Sequence, residues 1–119
     1  MTPEDMKSRT FQYGIRAIRL ADALPQNRSA ELNARRLIQH GTSVGANYRA
    51  ACRAQSARDF VAKLGIVEEE ADEALYWMEI LVETGLMKAS RPAASRKEGN
   101  EIIAIIIASI RSAREKARR

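Results

Sequence analysis

The chain has 119 residues, of which 45% are hydrophobic and 29% are charged, and it carries a formal net charge of +5. A chain of this length buries one hydrophobic core but not two, and its ordinary composition excludes extensive disorder. Its single cysteine, Cys52, excludes an internal disulfide and a cysteine-based zinc site. We therefore expect one domain over residues 1–119.

The chain begins with acidic and polar residues and has no apolar segment typical of a secretory signal there. Its most apolar run, Ile102–Ile110, is far shorter than the roughly 20 residues that cross a bilayer. These features favour a cytoplasmic protein with no membrane partner.

The segment Thr2–Asp5 predicts the start of a first helix, because its hydroxyl, proline and carboxylate each suit the exposed amides of a helix start. Downstream apolar residues recur at spacings of three and four, which predicts one buried helical face. That face comprises Phe11, Ile15, Ile18 and Leu24, with Ala21 between them. Pro25 ends the pattern, so the helix is expected over residues 4–24.

A second helix is expected over residues 28–53, capped by Asn27 or Ser29. Its wide stripe of apolar and small residues comprises Ala34, Leu37, Ile38, Gly41, Val44, Gly45, Tyr48, Ala51 and Cys52. Gly41 and Gly45 lie one turn apart, although each glycine costs a helix about 1 kcal/mol relative to alanine. They predict either a close approach by a neighbouring backbone or a local kink.

The segment Ser56–Asp59 is a capping box that predicts the start of a third helix over residues 56–84. The apolar residues that follow keep a near-heptad spacing, which is typical of the seam of a packed bundle. The seam comprises Phe60, Leu64, Val67, Ala71, Ala74, Leu75, Met78 and Leu81. Gly85 favours the end of this helix, because glycine readily adopts the left-handed conformation.

The segment Ser95–Glu98 is a further candidate capping box and predicts a fourth helix over residues 96–117. The isoleucine-rich run that follows also suits a buried strand, but no partner strand exists elsewhere to satisfy its backbone. A helical stripe is formed by Ile102, Ile103, Ile106, Ile110 and Ala113. The whole pattern predicts an all-α fold, an antiparallel up-and-down four-helix bundle.

No catalytic set is evident in the sequence. His40, the single histidine, and Cys52 are separated by three helical turns, too far for a nucleophile and base pair within one chain. There is also no glycine-rich phosphate loop and no histidine-containing metal-ligand pair. We expect a non-enzymatic protein without metal or cofactor, in which Cys52 is buried as a small apolar residue and His40 lies at a rim or interface.

The third helix is strongly acidic and has no basic residue between Lys63 and Lys88. Its carboxylates are Glu68, Glu69, Glu70, Asp72, Glu73, Glu79 and Glu83. Di-iron bundles hold metal with glutamates on inward faces, but they pair them with histidines that are missing here. The carboxylates therefore indicate a solvated face, or one that meets a basic neighbour.

Positive charge concentrates in two segments. Residues 28–63 carry seven Lys/Arg against two acids, and residues 111–119 carry five against one. The candidate nucleic-acid-binding residues are Arg28, Arg35, Arg49 and Arg53 on one stripe of the second helix, with Arg111, Arg114, Arg118 and Arg119 in the tail. Arginine matches phosphate oxygens with a fixed fork of donors. The alternative is that these arginines pair with the acidic third helix, within or between subunits.

Residues 42–86 closely resemble a bacterial four-helix-bundle family first known from intervening sequences in large-subunit ribosomal RNA genes. Three elements carry the resemblance, in the family's order and spacing. They are a Ser-Val-Gly-Ala-Asn-Tyr element (Ser43, Gly45, Asn47, Tyr48), a Ser-x-x-Asp-Phe element (Ser56, Asp59, Phe60), and an acidic stretch that leads to Tyr76 and Trp77. The flanking helices match in length and pattern, so the likeness covers nearly the whole chain.

The resemblance implies a ring-shaped homopentamer without known catalysis. Relatives of the family include the accessory variability protein of diversity-generating retroelements, a basic pentamer that binds a reverse transcriptase and nucleic acid. The chain departs from the family pattern at Ala50 and Gln55, where relatives often carry glutamate, which leaves the neighbourhood of Arg49, Arg53 and Arg58 more positive.

Two hypotheses about function remain at this point. In the first, the protein is a homo-oligomeric adaptor that binds RNA, DNA or a nucleic-acid enzyme such as a reverse transcriptase. In the second, it is a structural oligomer whose charges serve solubility and subunit pairing, with no nucleic-acid partner.

Overall fold

The computed structural model describes all 119 residues and contains four α-helices and no strand. The helices are α1 (Pro3–Asp22), α2 (Arg28–Cys52), α3 (Ala57–Glu83) and α4 (Ala93–Arg118). Each helix packs along the next one in the chain, while α1 and α4 meet over a much shorter length. The molecule is an elongated bundle of 53 × 21 × 20 Å. The predicted all-α, four-helix fold is confirmed.

Side-chain caps set the start of three helices. Thr2 accepts a hydrogen bond from the Asp5 amide at 3.1 Å and donates its own amide to the Asp5 carboxylate at 2.9 Å. The side chains of Asn27 and Ser56 accept from backbone amides at 2.9 and 3.0 Å in the same way. Gly85 follows α3 with a φ of +76°, a left-handed conformation that relieves the helix end.

The start of α4 differs from the sequence prediction. The helix begins at Ala93, three residues earlier than expected, with Pro92 at the cap position and no side-chain cap. Ser95 therefore lies inside the helix, where it is buried, and the predicted capping box of Ser95 and Glu98 is wrong. A proline at a helix start removes no helical hydrogen bond, so the extra turn forms directly after Pro92.

Close contact between α1 and α2 explains both glycines of α2. A Cβ atom on Gly41 would lie 2.4 Å from the Cβ of Ala17, and one on Gly45 would lie 3.1 Å from the Thr10 carbonyl oxygen. Both glycines thus serve a close backbone approach. Gly41 faces Ala17, and Gly45, which comes later in α2, faces Thr10, which comes earlier in α1. The two helices therefore run antiparallel.

The predicted buried face of α1 is correct for Ala21, which is buried, and for Leu24, which packs against the core, but it is wrong for the other three residues. Phe11 and Ile18 are 53% and 37% exposed, and Ile15 is half-buried. The buried residues of α1 are Met6, Thr10, Tyr13, Gly14, Ala17, Leu20 and Ala21. Small residues lie inside because α2 approaches so closely that larger side chains do not fit between the two backbones.

A charged contact joins α1 to α4 where the two helices meet. The Arg9 guanidinium donates through Nε to the Glu98 carboxylate at 2.9 Å and contacts Glu101 at 3.2 Å. Hydrogen bonding to Arg9 lowers the pKa of Glu98, and the same contact raises the pKa of Arg9. Beneath this pair, burial raises the pKa of the Tyr13 hydroxyl, which has no hydrogen-bond partner in the protein. None of the four helices combines the length and the apolar composition that a membrane span requires.

Candidate nucleic-acid interface

One end of the bundle collects about half of the exposed positive charge. Residues 53–56 connect the end of α2 to the start of α3, and the start of α3 lies against the end of α4. We call this region the basic end. It comprises Arg49, Arg53, Arg58, Lys63, Arg111, Arg114, Lys116, Arg118 and Arg119. Six of the eight arginines predicted as nucleic-acid-binding residues belong to it.

The other two predicted arginines lie elsewhere. Arg28 and Arg35 are exposed near the start of α2, at the opposite end of the bundle. With a rise of about 1.5 Å per residue, Arg28 and Arg53 are separated by about 37 Å along the helix axis. The arginine stripe of α2 is therefore divided into two pairs, of which Arg49 and Arg53 lie at the same end of the bundle as the arginines of α4.

None of these eight arginines forms an ion pair within the chain. The ion pairs are Lys7–Glu4, Arg9–Glu98, Arg9–Glu101, Lys63–Asp59 and the contacts of His40 with Glu70 and Glu73. The acidic residues of α3 thus do not neutralise the candidate arginines inside one subunit. The guanidinium groups remain available to a partner.

A cleft of about 510 Å³ lies between α3 and α4 at the basic end. Its apolar lining comes from Val61, Ile107 and Ile110, and Gly65 leaves one wall without a side chain. Its charged lining comprises Arg111, Arg114, Arg118, Glu68 and Glu115. The three arginines were predicted as site residues from the sequence, but the apolar residues and Gly65 were not. The signal that could have found them is the glycine inside the predicted third helix, one residue after Leu64.

A second, apolar groove of about 270 Å³ runs between α1 and α2. Its lining includes the exposed apolar residues of α1. On the α2 side the lining includes Gly45 and Ala46, whose small size leaves the groove open. Lys7 and Arg49 lie at its rim. We call the exposed residues Phe11 and Ile18, together with the half-buried Ile15 between them, the α1 face. These three residues account for most of the apolar pattern that was predicted to face the core.

His40 and Cys52 do not form a site together. His40 is half-buried, with Nδ1 3.4 Å from a Glu70 carboxylate oxygen and Nε2 4.0 Å from Glu73. Cys52 is exposed, so its predicted burial is wrong. It is the last residue of α2. Burial and the adjacent Cys52 raise the pKa of Tyr48 to about 12.

The motif residues that carry the family resemblance build the bundle. Asn47 donates to the Ser43 carbonyl oxygen at 2.8 Å within α2, beside the contact of Gly45 with α1. Tyr48 is buried, and Phe60 packs against the core. The Trp77 ring packs edge-on to Tyr76, and its buried Nε1 has no partner. No group of three His, Cys, Asp or Glu side chains is placed to hold a metal ion.

The fold places this chain among the small four-helix-bundle proteins. Its motif residues contribute to the packing of the bundle, and its basic end is exposed. The chain belongs to the family of 23S rRNA-intervening sequence proteins, whose model matches residues 5–108. It is similar to a solved structure from Bacteroides thetaiotaomicron, described as a protein of unknown function from the S23 ribosomal protein family. That structure is 30% identical, with a TM-score of 0.82, and the match covers 88% of this chain and 97% of the other. No curated protein matches the chain.

Proposed function

We propose that this protein is a non-enzymatic, homo-oligomeric adaptor of the cytoplasm that binds nucleic acid, or a nucleic-acid enzyme such as a reverse transcriptase, through its basic end. The observation that carries the proposal is the group of exposed arginines at that end, none of which is paired within the chain. Each guanidinium presents several donors to phosphate oxygens, and each phosphate contact releases counterions.

Oligomerisation is supported by two exposed apolar faces of opposite charge. The α1 face has basic residues at its rim. On α3, Ile66 and Tyr76 are 43% and 53% exposed among carboxylates, and we call these two residues the α3 face. Contact of the α1 face of one copy with the α3 face of the next joins unlike surfaces, and such head-to-tail contacts form a ring when the rotation between neighbouring copies closes. A ring of this kind agrees with the homopentamer that the family resemblance implies.

Assembly would strengthen binding of nucleic acid. Five copies carry a net charge of five times +5, which is +25. Weak phosphate contacts from several subunits on one strand act together, so the overall affinity exceeds that of a single basic end.

Two matched double variants of α2 test the proposal. Arg49→Gln/Arg53→Gln removes two positive charges from the basic end, and Arg28→Gln/Arg35→Gln removes two from the opposite end. We expect the first pair to weaken binding of labelled RNA or DNA about tenfold in fluorescence anisotropy and the second to have a smaller effect. Binding should also fall steeply between about 50 and 200 mM salt. Absence of binding at low salt would overturn the proposal.

The structural-oligomer hypothesis is the second candidate, and the two apolar faces favour it. In that case the arginines of one subunit meet carboxylates of the next. The same α2 variants distinguish the two functions, because loss of the oligomer on sedimentation would assign those arginines to a subunit interface. An unchanged oligomer with weakened binding supports the adaptor.

A further inference from the structure

Gly65 is the one helical glycine of this protein whose place the packing of the chain does not explain. Added Cβ atoms on Gly14, Gly41, Gly45 and Gly99 would each meet another atom at 3.2 Å or less. A Cβ on Gly65 would meet nothing within 4 Å. Glycine inside a helix lowers the stability of the helix relative to alanine. The presence of Gly65 in α3 therefore indicates space that is kept open for a molecule outside the chain.

That space is the wall of the cleft between α3 and α4, and its lining has two chemical parts. Val61, Ile107 and Ile110 form an apolar floor beside Gly65. Above them, Arg111, Arg114 and Arg118 follow one another at spacings of three and four, so they form one row along α4. The volume of about 510 Å³ lies within the range of small-molecule sites.

We propose that this cleft binds one unstacked nucleotide of a single-stranded nucleic acid, with the base against the floor at Gly65 and the phosphate on the arginine row. The inference rests on the nucleic-acid binding proposed above and names its substrate class. A flat base fits an apolar wall that lacks a side chain, and guanidinium planes stack on bases as well as binding phosphates.

The two carboxylates of the cleft favour a nucleotide over a simple anion. Glu68 and Glu115 would repel a phosphate that lay between them, but each accepts hydrogen bonds from the exocyclic amine of cytosine, adenine or guanine. A duplex keeps its bases stacked, so its backbone reaches the arginines and leaves the floor at Gly65 uncovered. The cleft therefore selects single strands, with a preference for bases that carry an amine.

Substitutions at Gly65 test the inference with single-stranded RNA and a duplex of the same sequence as probes. Gly65→Leu fills the cleft from the α3 side, and Gly65→Ala adds one methyl group. Both residues favour helix, and the position has open space, so both variants are expected to fold. We expect Gly65→Leu to weaken binding of the single strand about tenfold, with less than about a twofold change for the duplex, and Gly65→Ala to have a smaller effect. Arg114→Gln should weaken binding of both the single strand and the duplex. Arg19→Gln changes an arginine at the far end of α1 and should weaken binding of neither.

Three outcomes would overturn the inference. Equal weakening of single strand and duplex by Gly65→Leu would show a role in phosphate contact alone. Wild-type binding by Gly65→Leu would show that the floor is unused. A change of oligomeric state on sedimentation would assign the open space to a second copy of the chain. Failure of the proposed function itself looks different, because the wild-type protein would then bind neither probe.

Discussion

At the scale of single residues, Gly41 and Gly65 have opposite effects on the stability of the bundle. Gly41 permits a backbone contact that an added methyl group would block, at 2.4 Å from Ala17. At Gly65, an added methyl group would meet no other atom of the chain within 4 Å. The same residue type therefore serves packing in α2 and leaves an opening in α3.

The substitution of each glycine by alanine should change the free energy of unfolding in opposite directions. Gly65→Ala is expected to stabilise the protein by about 0.5–1 kcal/mol, because alanine favours helix. Gly41→Ala is expected to destabilise it by about 1–3 kcal/mol, because the added methyl group overlaps Ala17. Urea denaturation followed by circular dichroism measures both. Ala17→Gly in the Gly41→Ala background should recover part of the loss, and equal signs for the two single variants would contradict the assignment.

Residue detail also explains where sequence reasoning failed. Thr10 is fully buried in place of Phe11, because its hydroxyl donates to the Met6 carbonyl oxygen at 2.8 Å and needs no outside partner. The spacing of apolar residues predicts which side of a helix is buried, but it does not show how closely two backbones approach. The close approach of α1 and α2 could be predicted only from the glycines of α2 taken together with the small residues of α1.

At the scale of helices, the contact of α1 with α4 is short and depends on a charged pair. Arg9 bridges to Glu98 and Glu101 across the two helices. Only the first of the two carboxylates is largely shielded from solvent. A partly buried, hydrogen-bonded pair contributes more than an exposed one.

The stability of this contact should depend on pH. Hydrogen bonding to Arg9 lowers the folded-state pKa of Glu98, so the contribution of this carboxylate to stability is present above its unfolded pKa and is lost as pH falls through the folded value. Glu98→Gln is expected to destabilise the protein by about 1 kcal/mol at neutral pH and to reduce the loss of stability between neutral and acidic pH. Urea midpoints across that pH range provide the measurement. Glu101→Gln is the matched control, and an equal effect of both variants would contradict a special role for Glu98.

The helices themselves followed from sequence because caps and heptad spacing are local signals. Asn27, Ser56 and Gly85 mark ends that agree with the structure. The start of α4 did not follow, because Pro92 begins a helix without a side-chain cap and a capping motif lay three residues later by chance. Residue spacing along α2 placed the arginines on one stripe, but it gave no information on which of them lie near α4.

At the scale of the whole molecule, the bundle exposes apolar area on two helices that are far apart in the chain. The residues of the α1 face and the α3 face lie outside the core, which is filled by other residues. Large exposed apolar patches commonly mark interfaces.

Assembly should depend on both faces. We expect Phe11→Ser and Tyr76→Ser each to shift the protein toward monomer in sedimentation velocity, because each removes an aromatic side chain from one half of the contact. Circular dichroism should show unchanged helix, since both side chains are exposed in the single chain. Leu32→Ser changes another exposed apolar residue, which lies outside both faces, and is the control. A monomeric wild-type protein, or an equal effect of Leu32→Ser, would contradict the two-face arrangement.

The alternating direction of the four helices has a consequence for the electric field at the basic end. Two helix amino termini and two carboxyl termini meet there, so the helix macrodipoles oppose one another and largely cancel. The potential that an approaching strand encounters therefore comes from charged side chains, the guanidinium and ammonium groups together with the carboxylates of Glu68 and Glu115. It is carried by mobile, solvent-exposed side chains, and dissolved ions can screen it almost completely.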